Sequence, residues 1–359
     1  MSRFLRRTLV GVAVGVLVYV AGTVYVGADE IHGALSRYAW SATVAALVLS
    51  SCNYLLRFIK WEFCLAWLQV RAPGIGNAPG LSYGRSLSIY LAGLSMSVTP
   101  GKLGEVLRSI LLQASHGIAF SRTAPIVLAD RLTDLIALLL LSGAGLSVFA
   151  GFDSYLPYLL LTSVCVLLAV LVLRSQKLGT TALGVLARIP WVGSVFTRAQ
   201  SMVFSSAALM TLPRLSALTA LSVVGWGLEC LGFWWILSGF ADATIRVMAA
   251  AFLWSTTTLI GAVSFLPGGL GATEISLDVL LPSLSSGVTG PIAAAAILLA
   301  RGCTLWFGEL VGIVALGGLL RDPAMRDRAS ADGTEMTDGT AKTTASDHCG
   351  NHADGLRPR

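Results

Sequence analysis

The chain has 359 residues, of which 55% are hydrophobic and 12% are charged, and its formal net charge is +6. Soluble domains carry about 25% charged residues, so this composition excludes an ordinary soluble protein and indicates a chain that crosses a membrane several times. The basic residues lie beside long apolar stretches, which is typical of the positive-inside rule and not of nucleic-acid binding. The six cysteines show no metal-binding or redox spacing, and we expect no metal site and no cofactor.

Two spans are predicted at the start of the chain. Residues 8–27 follow three arginines and have about the 20 apolar residues that a bilayer requires. We interpret them as a retained first span with a cytoplasmic N-terminus. A second span is predicted over residues 39–58 and ends inside at Arg57 and Lys60. Residues 61–70 then resemble a separate interfacial segment, with tryptophans at the level of the headgroups.

A proline interrupts the next apolar stretch, residues 86–113. Pro100 lacks an N–H and disfavours a helix at the residue before it, so one helix should end there and another should begin after Gly101. In a bilayer such a break survives only where protein buries it or where it lines a wet cavity. The stretch is either one kinked span or a hairpin of residues 86–99 and 101–113.

A basic stretch indicates the direction in which the spans in the middle of the chain cross the membrane. Residues 174–214 contain only lysine and arginine as charged residues, which indicates a cytoplasmic location. The span before it, residues 156–173, therefore runs inward, and the span over residues 124–149 runs outward. Residues 86–113 then begin and end in the cytoplasm, which favours the hairpin over the kinked span.

The second half repeats this order of elements in the opposite direction. A span over residues 215–239 runs outward, and residues 247–281 then contain a second Pro-Gly-x-Leu-Gly break at Pro267. The last span, residues 291–320, ends at several arginines and therefore runs inward, so residues 247–281 begin and end outside. Whether residues 247–266 alone cross the bilayer stays open.

The prediction is an all-α polytopic membrane protein with an inverted repeat of span, span, re-entrant hairpin and span. It contains about six full spans and two broken helical hairpins. Residues 1–149 form the first repeat and residues 150–321 the second, and residues 322–359 are a polar tail that we expect to be disordered. Interrupted apolar segments in corresponding halves of a chain indicate the binding site of a secondary transporter.

Four groups of residues together resemble the lysylphosphatidylglycerol synthase transmembrane-region family. They are Pro100-Gly101-x-Leu103-Gly104-Glu105-x-x-Arg108, Asp130-Arg131-x-x-Asp134, Pro267-Gly268-Gly269-x-Gly271-x-x-Glu274 and Arg301. The resemblance covers about residues 8–320 and implies a lipid flippase; related stand-alone proteins accompany hopanoid, glycolipid or polyprenyl-linked sugar pathways. The bifunctional synthase adds a soluble acyltransferase domain, for which the roughly 38 residues after the last span are too few. We therefore expect a stand-alone member that does not transfer lysine.

Charged residues inside the spans are the candidate site, because a charge at the centre of a membrane helix costs roughly 2.5–3.5 kcal/mol and is usually functional. The candidate substrate-binding residues are Lys102, Glu105, Arg108, Asp130, Arg131, Asp134, Glu274, Asp278 and Arg301. The candidate helix-break residues are Pro100, Gly101, Gly104, Pro267, Gly268, Gly269 and Gly271. Glu229 and Glu309 are further charged candidates within the spans.

Spacing and chemistry assign roles to this set. Side chains three or four residues apart share a helix face, which predicts ion pairs of Glu105 with Arg108 and of Arg131 with Asp134. The same rule places Asp130 with Asp134, and Glu274 with Asp278, on shared faces.

An anionic headgroup would bind at the two breaks. Helix N-termini after Gly101 and Gly268 would present N–H groups, and Arg108 and Arg301 would bind a phosphate.

The function predicted from the sequence is a multi-pass flippase or transporter in the inner membrane, with both termini cytoplasmic and a membrane lipid as partner. The alternative is an assembly partner of a lipid or glycan biosynthetic enzyme, held through residues 174–214. An intramembrane lipid-modifying enzyme is less favoured, because no histidine lies in a predicted span and no base is paired with a cysteine or serine; we therefore expect no enzymatic activity. A homo-oligomer is compatible with the sequence, which leaves the lipid, the direction of transport and the energy source open.

Overall fold

A computed structural model describes most of the membrane part of the chain. The described residues are 26–71, 80–99, 104–146, 152–174, 208–264 and 266–322, together with positions 17, 20, 24, 177 and 181. They are almost wholly helical, which confirms the predicted all-α class. Most of the predicted span 8–27, most of the basic stretch 174–214 and nearly all of the tail 322–359 lie outside the described residues.

The elements follow in chain order. The first half contains α1 (Ala28–Ser36), α2 (Trp40–Trp67), α3 (Tyr83–Ala92) with a 3-10 turn over Gly93–Met96, α4 (Gly104–His116) and α5 (Phe120–Leu146). The second half contains α6 (Phe152–Arg174), α7 (Leu212–Ser238), β1 (Thr244–Ile245), α8 (Val247–Val263), a 3-10 turn over Pro267–Gly269, α9 (Ala272–Leu284), β2 (Ser285–Ser286), α10 (Gly290–Arg301), a π-helical turn over Gly302–Trp306 and α11 (Phe307–Arg321).

Within the described ranges, three helical segments are long and apolar enough to cross a bilayer: α2, α7 and the continuous segment Gly290–Arg321. The predicted end of the second helix near residue 58 is wrong, because α2 continues unbroken to Trp67. Arg57 and Lys60 lie inside the bundle and pair with acidic side chains, so their charges do not end the helix.

Helices α2 and α7 pack antiparallel along their whole length. Near one end the N–H of Ala39 donates to the carbonyl of Gly239 at 2.9 Å. Near the other end the Lys60 ammonium group donates to the Ser222 hydroxyl at 2.7 Å. Between them Gly232 faces Ala46, and small residues at such a position let two helix backbones approach closely. This pair carries several of the buried polar contacts described below.

The first hairpin consists of α3, its 3-10 turn and α4, which pack against each other on either side of residues 100–103. Ile89 and Leu112, one from each arm, are fully buried in the same apolar core. Helix α11 lies antiparallel to α3, because Arg85 pairs with Asp322 near one end of the contact and Gly312 packs on Ser95 near the other. The base of this hairpin therefore lies where α11 ends.

The second hairpin consists of α8, its 3-10 turn and α9. Its two ends meet in a short antiparallel sheet in which Thr244 is opposite Ser286 and Ile245 is opposite Ser285. The indole N–H of Trp234 donates to the carbonyl of Ile245 at 3.1 Å, which places this base beside the end of α7. Helix α8 therefore forms one arm of this hairpin, and the chain turns back after Pro267 into α9.

The two hairpins approach from opposite ends of the bundle. The continuous segment Gly290–Arg321 begins directly after β2 at the base of the second hairpin and ends at the base of the first, a rise of about 48 Å at 1.5 Å per residue. The inner ends of the hairpins meet, since a Cβ atom at Gly268 would lie 3.4 Å from the Cα atom of Val98. The two breaks are thus neighbours in space.

We predict that Gly312→Ala destabilises the protein by about 1–3 kcal/mol, the usual cost of overpacking a tight contact. A Cβ atom at Gly312 would lie 2.6 Å from the carbonyl carbon of Leu94, and closer still to the N atom of Ser95. Thermal unfolding in detergent measures the effect. Gly317→Ala on the same helix is the matched control, because a Cβ there meets nothing within 4 Å. Equal melting temperatures for the two variants would contradict the close packing of α11 on the first hairpin.

Candidate functional site

A buried cluster of charges joins α2, α5 and α7. The Lys60 ammonium nitrogen lies 2.5 Å from Oδ1 of Asp130 and 3.1 Å from Oδ1 of Asp134, and its side chain is 2% exposed. Arg57 pairs with the other carboxylate oxygen of Asp134. The Ser222 hydroxyl accepts from Lys60 and donates to Asp134 at 2.9 Å. Two cations and two carboxylates therefore neutralise each other in the interior.

The local sequence explains this cluster. Arg57 and Lys60 are three residues apart on α2, and Asp130 and Asp134 are four apart on α5, so each pair lies on one helix face. The shared face of the two aspartates was predicted and is confirmed, since both contact Lys60. Lys60 and Arg57 were missed as site residues. The available signal was the pair of matching spacings, two cations on one helix and two carboxylates on another.

A second, partly buried pair joins α4 to α5. The Arg131 guanidinium donates through Nε to Oε2 of Glu105 at 2.9 Å, and through a second nitrogen to Oε1. The predicted pairs of Glu105 with Arg108 and of Arg131 with Asp134 are therefore wrong. A two-point contact between an arginine and a carboxylate is stronger than a single contact along one helix, and here it joins two helices. Arg108 instead donates to the carbonyl of Tyr90 at 3.2 Å and lies 4.0 Å above its ring.

The third pair holds the second break. Arg301 donates through Nε to Oε1 of Glu274 at 2.8 Å and through Nη2 to the carbonyl of Gly268 at 2.7 Å. Gly268 has a φ of 59° and Gly271 a φ of 85°, both in the left-handed region that favours glycine. Arg301 thus joins the turn over Pro267–Gly269 to α9, the helix after that turn.

The N-terminus of α9 after that turn is not bare, contrary to the expectation. The N–H of Gly271 donates to Oε2 of Glu274 at 2.7 Å, so the protein's own carboxylate caps part of this helix end. Glu274 thus accepts from one N–H at the start of α9 and also pairs with Arg301.

One predicted residue of the site is not brought into these clusters, and another part of the predicted site is not described. Asp278 is exposed on α9, beside Ile275 and Val279, which are 67% and 68% exposed. Its predicted shared face with Glu274 therefore places it at the side of the bundle and not in the buried pair. The other part lies outside the described residues and consists of Pro100, Gly101 and Lys102. Gly104, also predicted as part of the first break, is the first residue of α4.

Two further carboxylates complete the buried polar groups. Glu229 accepts from the side-chain amide of Asn53 at 2.5 Å and from the indole N–H of Trp254 at 3.2 Å. Glu309 accepts from the backbone N–H of Ser97 at 3.1 Å, at the inner end of the first hairpin. Both glutamates were identified as intramembrane charges, but neither partner follows from sequence spacing.

A cavity of about 510 Å³ lies away from these clusters, at the base of the second hairpin. It is lined by Gly145, Thr244, Ile245, Arg246, Ala249, Phe252, Ser283, Leu284, Ser285 and Ser286. None of the residues in the buried ion pairs contributes to its wall. The charged clusters are therefore held by protein contacts and are not the lining of this cavity.

The charged clusters lie in a region of the chain that matches a known protein family. A model of the lysylphosphatidylglycerol synthase transmembrane region matches residues 9–312, which include every buried ion pair described above. The chain belongs to this family. The resemblance carried by the Pro-Gly breaks, Asp130, Asp134 and Arg301 is thereby confirmed.

Related membrane proteins from two archaea agree with this assignment. Two UPF0104 membrane proteins of Methanothermobacter thermautotrophicus are 24% and 23% identical to the chain; the alignments cover 85% and 84% of the chain and 93% and 90% of the relatives. A UPF0104 membrane protein of Methanocaldococcus jannaschii is 24% identical over 63% of the chain and 96% of its own length. Together with the apolar helices, these matches identify a multi-pass membrane protein.

Proposed function

We propose that this protein is a flippase or transporter that moves an amphipathic lipid or lipid-linked intermediate across the inner membrane. Phospholipid, hopanoid, glycolipid and polyprenyl-phosphate compounds are the candidate classes. The observation that carries the proposal is the meeting of the two hairpins, with Gly268 against Val98. Each hairpin contributes a glutamate that is paired with an arginine, the buried Glu105 or the partly buried Glu274. Broken helices that meet near the midplane are the typical binding site of secondary transporters.

The arrangement of the hairpins supports an inverted repeat. In this proposal residues 1–149 and 150–321 form the two repeats, and each repeat inserts its hairpin from its own side of the membrane. The opposite positions of the two bases fit that relationship, because two hairpins related by an axis in the membrane plane must point toward each other. The lysine and arginine distribution supports a cytoplasmic location for both termini and residues 322–359.

The ion pairs supply a mechanism for headgroup binding. Arg131 is the most accessible of the paired cations, since 31% of its side chain is exposed whereas Lys60 and Arg301 are 2% and 9% exposed. An anionic headgroup can therefore compete with Glu105 for the Arg131 guanidinium, which binds phosphate with two parallel hydrogen bonds. Release of Glu105 would loosen α4 from α5 and favour a second arrangement of the hairpins, provided that the lipid binds that arrangement more tightly. The acyl chains would remain in the bilayer.

Lipid translocation in reconstituted vesicles tests the proposal. We expect the wild-type protein to move a fluorescent anionic phospholipid between leaflets. We expect Glu105→Gln to change the rate by about tenfold, the effect of about 1.4 kcal/mol on a barrier. Glu30→Gln is the matched control, because Glu30 is exposed and lies outside the clusters. A wild-type protein that is folded but moves neither anionic nor zwitterionic lipids would overturn the proposal. A chemically altered lipid in the same vesicles would instead identify an enzyme.

A further inference from the structure

One buried carboxylate differs from the others in its surroundings. Glu309 is 2% exposed, and its Oε2 accepts from the Ser97 N–H, but its Oε1 is buried without a hydrogen-bond partner among the described residues. Each carboxylate of the ion pairs contacts at least one arginine or lysine, and Glu229 has two neutral donors. Within the described part of the chain, no cation forms an ion pair with Glu309.

The elements packed against Glu309 explain why it has no ion-pair partner there. On α3, Arg85 pairs with Asp322 at the far end of the contact, and the Tyr90 ring lies beneath the Arg108 guanidinium. On α2, the Tyr54 hydroxyl donates to the carbonyl of Thr304. The adjoining 3-10 turn over Gly93–Met96 contains no ionisable side chain. Among the described residues of these elements, Arg85 and Arg108 are therefore committed to other groups.

A carboxylate in such a place is unfavourable in its charged form. Burial removes the water that would solvate the charge, and the neutral backbone N–H groups of Ser97 and Val98 do not replace it. The neutral acid, by contrast, needs no counterion and can still accept the hydrogen bond from Ser97. We propose that Glu309 is a proton-binding site that carries a proton while the inner ends of the hairpins are closed, and that it couples transport to proton movement. The coupling rests on the proposed transport function, whereas the protonation does not.

The position of Glu309 connects its charge to the first hairpin. Ser97 ends the 3-10 turn that extends α3, so the Glu309 carboxyl holds the backbone next to the first break. A π-helical turn, Gly302–Trp306, directly precedes α11, and such turns are frequent at functional sites because they allow a local shift of the helix. When water reaches Glu309, the carboxyl O–H bond breaks, the proton passes to that water and the carboxylate remains. The new charge favours the hydrated, open arrangement, and proton uptake from the other side restores the closed one.

Infrared spectroscopy of the purified protein in lipid nanodiscs tests the protonation directly. We expect the wild-type protein at neutral pH to show the C=O stretching band of a buried protonated carboxyl group. Glu309→Gln should lack that band, whereas Glu30→Gln, at an exposed position, should retain it. Absence of the band from the wild-type protein would overturn the proposal. If the wild-type protein lacks the band but Lys102→Met shows it, then Lys102 neutralises an ionised Glu309 in the wild-type protein. This result would likewise overturn the proposal.

Translocation under an imposed pH gradient tests the coupling. Wild-type vesicles should accumulate the labelled lipid in one leaflet when the gradient is applied, and Glu309→Gln should equilibrate the lipid between leaflets without responding to the gradient. An unchanged response in Glu309→Gln would overturn the coupling. If the wild-type protein moves no lipid under any condition, the proposed transport function fails, and the infrared result still decides whether Glu309 binds a proton.

Discussion

The variant Lys60→Met is expected to lose about 3–5 kcal/mol of unfolding free energy, the cost of breaking a buried ion pair by removing one partner. Lys60 contacts both Asp130 and Asp134, and its removal leaves two buried carboxylates with Arg57 as the remaining cation of the cluster. Methionine retains the length of the side chain, so the loss reports charge and hydrogen bonding more than packing. Reversible unfolding by detergent titration in mixed micelles measures the difference.

Two controls separate this effect from a general sensitivity to charge removal. Arg37→Met removes an exposed cation and should change the unfolding free energy by less than about 0.5 kcal/mol. The double variant Lys60→Met with Asp130→Asn should recover part of the loss, since it removes one of the uncompensated carboxylates. If the double variant is less stable than Lys60→Met, the cluster is not held by charge neutralisation.

The variant Arg301→Gln is expected to abolish lipid translocation and also to destabilise the fold by about 3–5 kcal/mol. Arg301 contacts Glu274 and the carbonyl of Gly268, so its loss removes the cation paired with the largely buried Glu274 carboxylate and frees the glycine turn that meets the first hairpin. Translocation in vesicles and unfolding in micelles are measured on the same preparations.

The double variant Arg301→Gln with Glu274→Gln separates folding from function. Two amides can hydrogen-bond to each other, so we expect the unfolding free energy to recover while translocation stays lost. Arg246→Gln, at an exposed position at the base of the same hairpin, is the matched control and should retain both properties. Recovery of translocation in the double variant would show that the charges at the second break serve only to stabilise the turn.

Sequence patterns within a few residues predicted the features that neighbouring residues determine, such as helix breaks and shared helix faces. Proline and glycine specify the backbone at a break, so the second break was placed at Pro267, where α8 ends and the turn begins. The spacing of Asp130 and Asp134 predicted their shared face in the same way. The apolar composition of the long helices predicted the class of protein, and the family match confirms the resemblance.

Contacts between distant segments were not predictable in this way. Helical spacing pairs Glu105 with Arg108, whereas the fold brings Arg131 to Glu105 from another helix. A hydropathy pattern treats a lysine as the end of a span, and it cannot distinguish Lys60 in the headgroup region from Lys60 neutralised by two aspartates. The two-residue strands are too short for any periodic signal. The division into repeats at residue 149 and the orientation of the termini stay predictions.

The paired strands at the base of the second hairpin limit how that hairpin can deform. Backbone hydrogen bonds between Thr244–Ile245 and Ser285–Ser286 join α8 and α9 at the outer end of the hairpin. The two arms are therefore held together there, and glycines with positive φ form the turn at the inner end. A movement that keeps the strand pair intact would tilt the hairpin about its outer end, so its largest displacement would fall where Gly268 touches Val98.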